Sequence, residues 1–273
     1  GKYEDEIGVL GHNINRMSEK LKSTIAELKS ANESLREDIK RKEEIDEMRK
    51  SFIANVSHEL KTPIALIQGY AEGLNEGMCE DKDSRKYYTD VIIDEANRMN
   101  SMVKQLLSLS VLESGNMELQ KETFDIYEMV AGLVESTKIL AADKNIEFKL
   151  EGRSGILINA DEFKLEEVVT NYISNAIKHV SDNGKIVIRL IPDKDRVKLE
   201  VYNSGSAIPK EDIDHIWDKF YKVDKAHSRD YGGTGIGLSI VKAILEIHDM
   251  PYGVENVDDG VMFWFEAKIF SLV

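Results

Sequence analysis

The sequence is short of the residues that staple, kink or anchor a chain. A single cysteine, Cys79, among 273 residues excludes an internal disulfide framework and fits a reducing compartment. It lies in a polar stretch and reads as an ordinary exposed thiol. Only four prolines are present, which leaves room for long uninterrupted helices. No apolar run reaches the roughly 18 residues that a membrane-spanning helix requires, and no signal-peptide pattern occurs. Positive charge is also scarce. Lysine and arginine number 36 against 50 aspartate and glutamate, a net charge of −14, which argues against direct nucleic-acid binding. What is abundant is apolar content, at 42%, and charge, at 32%: enough for a real core and for long solvated helices besides. The length suggests about two domains. The sequence opens directly in helix-like residues at Gly1-Lys2, so a fragment of a longer, soluble region is expected.

Leu21, Ile25, Leu28, Asn32, Leu35 and Ile39 step by four, three, four, three and four. That heptad spacing predicts a parallel two-stranded coiled coil, with Asn32 at a core position where a buried amide sets register. Ile45, Met48 and Phe52 continue the pattern, but Ile45 follows Ile39 by six residues. The seam slips by one there, as expected where twist is passed along a rod. Over Glu4 to Phe52 the rise per residue gives a rod of roughly 70 Å. Upstream, Asp5-Glu6-Ile7-Gly8-Val9-Leu10 with Asn13, Met17 and Leu21 resembles the second helix of a HAMP linker. The helical pattern runs on from about Glu44 to Asn75 and is expected to break at Gly73, Gly77 and the polar run Glu80–Ser84, with Ser84 as the next N-cap. A second helix is expected from there to about Glu113, ended by Ser114-Gly115-Asn116. Two such helices bury too little alone; two copies make a four-helix bundle.

One string in the first helix carries chemistry. His58 lies beside the apolar stripe, so its ring should face outward. A neutral imidazole nitrogen is a good nucleophile near pH 7. Glu59 can accept the proton from the other ring nitrogen. Thr62, four residues on and about 40° round the helix, can hold a water beside whatever His58 carries. Pro63 removes a backbone donor and favours a kink. A lone His-Glu pair on a charged helix is ordinary solvated surface. The whole string from Phe52 to Ile64, with Ser57-His58-Glu59-Leu60-Lys61-Thr62-Pro63 at its centre, resembles the phosphoacceptor box of sensor histidine kinases of two-component systems.

From Phe124 the pattern changes. Alternating strands are expected at 146–150, 185–191, 197–202 and 261–269, and helices at 126–142, 161–178, 210–220 and 236–248. Asp193-Lys194-Asp195 suits a hairpin turn. Strands alternating with helices predict an α/β sandwich, joined to the helical part by a hinge over 115–123. Asn171, Asn175 and Lys178 share one helical face. An Asn oxygen suits hard Mg²⁺, Lys178 is a point charge for phosphate, and Glu167 or Asn171 could complete a metal site. Gly232-Gly233-Thr234-Gly235-Ile236-Gly237-Leu238 precedes a helix, where backbone N–H groups and the helix N-terminus can hold phosphates; alone, such a loop is weak. Asn203-Ser204-Gly205, with Ile208 beyond, ends a strand and fits a pocket floor.

Taken in this order, these strings resemble the ATP-binding boxes of the same kinases, members of the GHKL superfamily, and Trp217-Asp218-Lys219-Phe220-Tyr221 resembles the aromatic box that flanks their lid. The resemblance covers nearly all the chain from Glu44 onward. It implies a Bergerat fold with Asn175 on Mg²⁺, Lys178 and His179 near the phosphates, and a mobile basic lid over 222–232 carrying Lys222, Lys225, His227 and Arg229. It implies the following domains: a HAMP-like segment over 1–22, a signalling helix over 23–43, a dimerisation and phosphotransfer domain over 44–114, and an ATP-binding domain over 124–273. One position departs from the family pattern. Asn203 stands where the family carries an aspartate for the adenine amino group, so a charge-assisted bond becomes a neutral one about half as strong. The reading is therefore a homodimeric kinase that phosphorylates His58 from ATP and Mg²⁺ and passes the phosphoryl group to a response regulator. It would be the cytoplasmic portion of a membrane-anchored sensor, with phosphatase activity supported by Thr62. Two rival readings exist: a degenerate kinase acting as a dimeric scaffold, motivated by Asn203, and an ATPase of the wider superfamily, which leaves His58 unexplained.

Overall fold

The computed structural model describes residues 2–78, 81–113, 117–140, 146–223 and 234–272, the side chains at 2–6, 44, 139–140 and 271–272 excepted. The chain divides into two compact units, 1–58 and 59–273. A helix α1 (Lys2–Asn75) contains Pro63 within it. In the first unit its apolar residues Leu21, Ile25, Leu28, Leu35 and Ile39 are all at least half exposed.

The second unit begins with the end of α1 and a helix α2 (Lys82–Glu113). Gly73 does not end α1, which runs on to Asn75. Its lack of a side chain serves packing: a Cβ there would sit 2.7 Å from the ring of Tyr88. The Tyr88 ring meets Tyr70 edge-on with centroids 4.9 Å apart. Gly77, at φ +72°, turns the chain after the helix. The cap of α2 is Asp81 rather than Ser84: its carboxylate accepts from the Ser84 N–H at 2.7 Å and from the Ser84 hydroxyl at 2.6 Å. An aspartate three residues ahead offers a charged acceptor to the same orphan donor. Cys79, Glu80 and the stop expected at 114–116 lie outside the described residues.

Beyond the hairpin the order is β1 (Glu122–Asp125), α3 (Ile126–Leu140), β2 (Glu147–Glu151), β3 (Ile156–Ala160), α4 (Glu162–His179), β4 (Lys185–Asp193), β5 (Arg196–Ser204), α5 (Gly237–Ile247), β6 (Tyr252–Val257) and β7 (Gly260–Leu272). The strands form one seven-stranded sheet in the order β1-β3-β7-β5-β4-β2, with β6 also on β7. Among the described residues only β2 and β4 run parallel. Period-two alternation drives the layering. Ile186, Ile188 and Leu190 of β4, Val197, Leu199 and Val201 of β5, and Val261, Phe263, Phe265 and Ala267 of β7 enter the core. There they meet Val168, Val169, Tyr172 and Ile173 of α4 and Ile240, Val241 and Ile244 of α5. The opposite face carries a small second cluster of Val187, Tyr202 and Met262. This is an α/β sandwich with its helices on one side.

The helix expected over 210–220 is absent. The segment is a run of turns bonded i to i+3, as in Asp212 N–H to Pro209 O at 2.9 Å and Asp218 N–H to His215 O at 2.8 Å. Trp217 is drawn onto the core, edge-on to Tyr252 at 4.9 Å and to Phe263 at 6.0 Å. Strands β1, β3 and β6 were not expected from the sequence. The turn at 193–195 is as anticipated, with Lys194 at φ +53°. Gly260 opens β7 where a Cβ would stand 2.0 Å from the Asn203 carbonyl oxygen. Gly260→Ala is expected to lower stability by about 1–3 kcal/mol through forced displacement of β5, read as a lower urea midpoint at unchanged slope.

Candidate nucleotide and phosphoacceptor sites

His58 is exposed on α1, as its helical position requires, and Thr62 is exposed too. Glu59 is half-buried, and its carboxylate accepts from the Lys222 ammonium at 2.7 Å, the side chains being 22% and 18% exposed. The residue expected to serve the imidazole and one expected to serve a nucleotide thus hold each other.

The other nucleotide residues gather around the ends of α4, β5 and α5. Asp161, buried before α4, caps it by accepting from the Lys164 N–H at 3.2 Å. Its other oxygen accepts from the Gln120 N–H at 3.0 Å, which ties down part of the expected hinge. This fixes the helix that presents Asn171, Asn175 and Lys178 at turn spacing. The Asn171 amide donates to the Glu167 carbonyl at 2.8 Å. Its Oδ1 points to Gly237, where a Cβ would come within 2.6 Å. Asn175 is half-buried on the same face. Partial burial, and after it the positive charge of Arg98 on α2, push the Lys178 pKa below the ordinary lysine value. His179 is exposed at the helix end. The Glu167 carboxylate is occupied: Lys164 donates to it at 2.9 Å and the Ser108 hydroxyl at 3.3 Å.

Asn203 is only 2% exposed, and its amide N–H donates to the Ser204 carbonyl at 3.2 Å. That bond orients Oδ1 as the remaining acceptor. Gly205 is at φ +150°. A Cβ there would stand 2.4 Å from the His179 carbonyl oxygen, so glycine lets the end of β5 pass against the end of α4. The Ile208 N–H donates to the Asn256 side chain at 2.9 Å. Gly235, at φ +71°, lies against Phe220, whose N–H donates to the Gly235 carbonyl at 2.8 Å. The Tyr221 hydroxyl donates to Asp212 at 2.5 Å, and that bond raises its pKa. The Thr234 hydroxyl donates to Gln105 of α2 at 2.9 Å and lies 3.3 Å from the Ile236 N–H. Ile236 is buried, and Gly237 and Leu238 begin α5. Gly232, Gly233 and the lid residues Lys225, His227 and Arg229 lie outside the described residues. Among the described residues no group of three His, Cys, Asp or Glu side chains is placed to hold a metal ion.

The sequence reading missed Gln105, Ser108, Arg98 and His248. His248, at the end of α5, is buried with both ring nitrogens used: one bonds the Ile244 carbonyl at 2.8 Å and Nε2 accepts from the Asp161 N–H at 3.2 Å. Burial lowers its pKa from 6.5; the Ile244 bond and the Asp161 charge oppose this, and Lys121 adds to it. A depressed imidazole leaves the unfolded chain to take up the proton first as pH falls. Stability is therefore complete above about 6.5 and is expected to fall below it, by at most ~1.4 kcal/mol per pH unit, until the folded ring also protonates. Chemical denaturation from pH 7.5 to 5 should show that slope, and His248→Gln should flatten it.

The described residues thus include an α/β sandwich, a glycine turn before α5, an amide-bearing face on α4 and an exposed histidine on α1. Residues 160–269 match the family described as histidine kinase-, DNA gyrase B- and HSP90-like ATPase. Residues 48–115 match the His Kinase A phospho-acceptor domain. The catalytic domain of the histidine kinase ThkA superposes on 56% of this chain and 97% of its own, with TM-score 0.50 and 30% identity. ThkA in complex with the response regulator protein TrrA covers 79% of this chain and 60% of that one, with TM-score 0.65 and 27% identity. The sensor protein VanSB of Enterococcus faecalis is 32% identical over 263 residues, 96% of this chain. The chain belongs to the sensor histidine kinases. It spans 57% of the length of VanSB and 36% of the sensor histidine kinase WalK of Bacillus subtilis.

Proposed function

We propose that this chain is the kinase core of a two-component sensor. It transfers the γ-phosphoryl group of ATP to a ring nitrogen of His58 and passes it on to an aspartate of a response-regulator receiver domain. The observation that carries the reading is an exposed His58 inside the matched phospho-acceptor segment, in one chain with a matched ATP-binding segment. In the first step the bond between the γ-phosphorus and its bridging oxygen breaks, a P–N bond forms, and ADP leaves. Glu59, freed from Lys222, takes the proton of the other nitrogen. Lys178, short of an ordinary lysine's hydration, gains by pairing with phosphate. The Thr234 hydroxyl and the first N–H groups of α5 face the phosphate side, and Asn203 Oδ1 accepts from the adenine amino group. Mg²⁺ fits only as a companion of the phosphates, held by Asn175 with Asn171 beside it, because Glu167 is already bonded and no other ligand cluster exists among the described residues; when bound it neutralises phosphate charge. Thr62 supports hydrolysis of the partner's phosphoryl group.

The active species is a homodimer. The uncovered stripe from Leu21 to Ile39 needs a second copy, and the hairpin completes a four-helix bundle with its twin. The domain limits follow the sequence: linker helix over 1–22, signalling helix over 23–43, phosphotransfer hairpin over 44–114, hinge over 115–123 and ATP domain from 124. Among the described residues no helix is long and apolar enough to cross a membrane. The proposed setting is the cytoplasmic side of a membrane-anchored sensor whose stimulus is received upstream. Incubation with ATP labelled at the γ-phosphate tests the reading, with acid-labile label on the chain as the expected result. A chain that takes up none at millimolar ATP would instead be the scaffold that Asn203 makes thinkable.

A further inference from the structure

Three neighbouring strands place Asn203, Val261 and Asn256 in one row. Val261 of β7 stands opposite Asn203 of β5 on one side and opposite Asn256 of β6 on the other. Residues paired across a sheet share a face, so Asn256 lies on the face of Asn203, two strand spacings or roughly 10 Å away. After β5 the chain runs over towards β6. The Gly205 N–H donates to the Asp259 carbonyl at 2.9 Å. At Ile208 both backbone groups meet Asn256: the N–H donates to Oδ1 at 2.9 Å and the carbonyl accepts from Nδ2 at 2.7 Å. Among the described residues these are the hydrogen bonds that hold Ile208, whose half-buried side chain packs on the core. A carboxamide carries an acceptor and a donor side by side. It can therefore meet the N–H and C=O of one residue as a neighbouring strand would. Pro209 follows and biases Ile208 towards the extended backbone that such a pair of bonds needs.

We propose that Asn256 is a positioning residue for the nucleotide base, its two bonds holding Ile208 as the wall of the site that Asn203 reads. This rests on the functional reading above, in which Asn203 Oδ1 accepts from the adenine amino group. A hydrogen bond in the plane of a ring fixes its edge and leaves its faces unsupported. The faces need apolar surface, and an aliphatic side chain on a loop offers that surface cheaply only when the loop is already in place. Without the Asn256 amide, the stretch between the Gly205 bond and the Trp217 contact with Tyr252 has no hydrogen bond at Ile208. Binding then has to order it. That cost is attached to the base. Thr234 and the first N–H groups of α5 take no part in the Asn256 bonds, so the phosphate side keeps its donors.

Calorimetric titration of the whole chain with a non-hydrolysable ATP analogue, and separately with ADP, each with Mg²⁺, is the test. Asn256→Ala is expected to weaken both by the same factor, roughly three- to thirtyfold, the range of one to two hydrogen bonds' net contribution. Equal loss marks the base, which the two ligands share. Asn256→Ser keeps one bond and should fall between the wild type and the alanine variant; it carries the test if Asn256→Ala does not fold. Asn256→Asp still accepts from the Ile208 N–H but sets a carboxylate against its carbonyl, and should bind no better than alanine. Labelling with γ-phosphate-labelled ATP should show a raised KM with kcat changed by no more than about twofold, the pattern of lost ground-state binding. A role confined to the fold would lower the urea midpoint and leave the affinity of the folded chain in place. Wild-type affinity in the alanine or serine variant, a loss seen only with the ATP analogue, or a fall in kcat at unchanged KM each overturns the role of Asn256 and leaves the kinase reading intact. No binding of either nucleotide by the wild-type chain overturns both.

Discussion

His58→Gln is expected to remove acid-labile phosphorylation altogether, a loss on the order of 10³-fold or more in labelling rate, as follows when a reaction's only nucleophile is deleted. The glutamine amide is close in size and can hydrogen-bond, but its nitrogen lone pair is delocalised into the carbonyl and does not attack phosphorus. His58 is exposed, so the exchange should alter stability by no more than about 0.5 kcal/mol. Affinity for ATP should also stand, since no nucleotide-binding group is touched. The measurement is label from γ-phosphate ATP resolved by acid and base treatment, beside a nucleotide titration and a melting curve. Label surviving in the variant at the wild-type rate would move the acceptor to another residue.

The second large effect is expected at Gly235. Two independent constraints meet there. Its φ of +71° lies in the left-handed region, where an alanine pays about 1–2 kcal/mol. An added Cβ would stand 2.7 Å from the Phe220 Cα and 2.8 Å from its carbonyl carbon. These are backbone atoms, and Phe220 is itself held at φ +64° by the bond from its N–H to the Gly235 carbonyl. Gly235→Ala therefore has to break that bond or shift the turn before α5, moving Thr234 and the first N–H groups of the helix out of line. A fall in nucleotide affinity of tenfold or more is expected, with little change in the unfolding of the hairpin. Undiminished binding of the ATP analogue would place the phosphates elsewhere.

The sequence made the repeating parts of this molecule readable. Heptads betray α1, and alternation betrays β4, β5 and β7. The shared helical face of Asn171, Asn175 and Lys178 is fixed by spacing alone. The misreadings share a cause, which is that tertiary contacts outvote local pattern. Gly73 looks like a helix breaker, yet the helix needs it for the Tyr88 ring. Ile213, Ile216, Trp217 and Phe220 have helical spacing, but the pull of Trp217 onto Tyr252 and Phe263 and the bond between Phe220 and Gly235 hold that stretch as turns. Strand β1 is four residues long and β6 carries a glycine, too little for period two to register. The pairs that join the two long helices to the residues around α5, Lys222 with Glu59 and Thr234 with Gln105, link residues 163 and 129 positions apart. No periodicity in a single sequence records such a meeting.

One strand has a consequence for how the molecule comes into being. β7 pairs with β3, β5 and β6, and it is made after all of them. During synthesis β5 waits through α5 and β6 with one edge bare, and β3 waits longer still. Long-range pairings of this kind are slow to form and leave sticky edges open meanwhile. The helical hairpin, whose partners lie close in sequence, can assemble at the ribosome well before. The nascent chain therefore spends an interval with its long helices formed, the α2 stripe still uncovered and the sheet open, and that interval is when it most needs a chaperone.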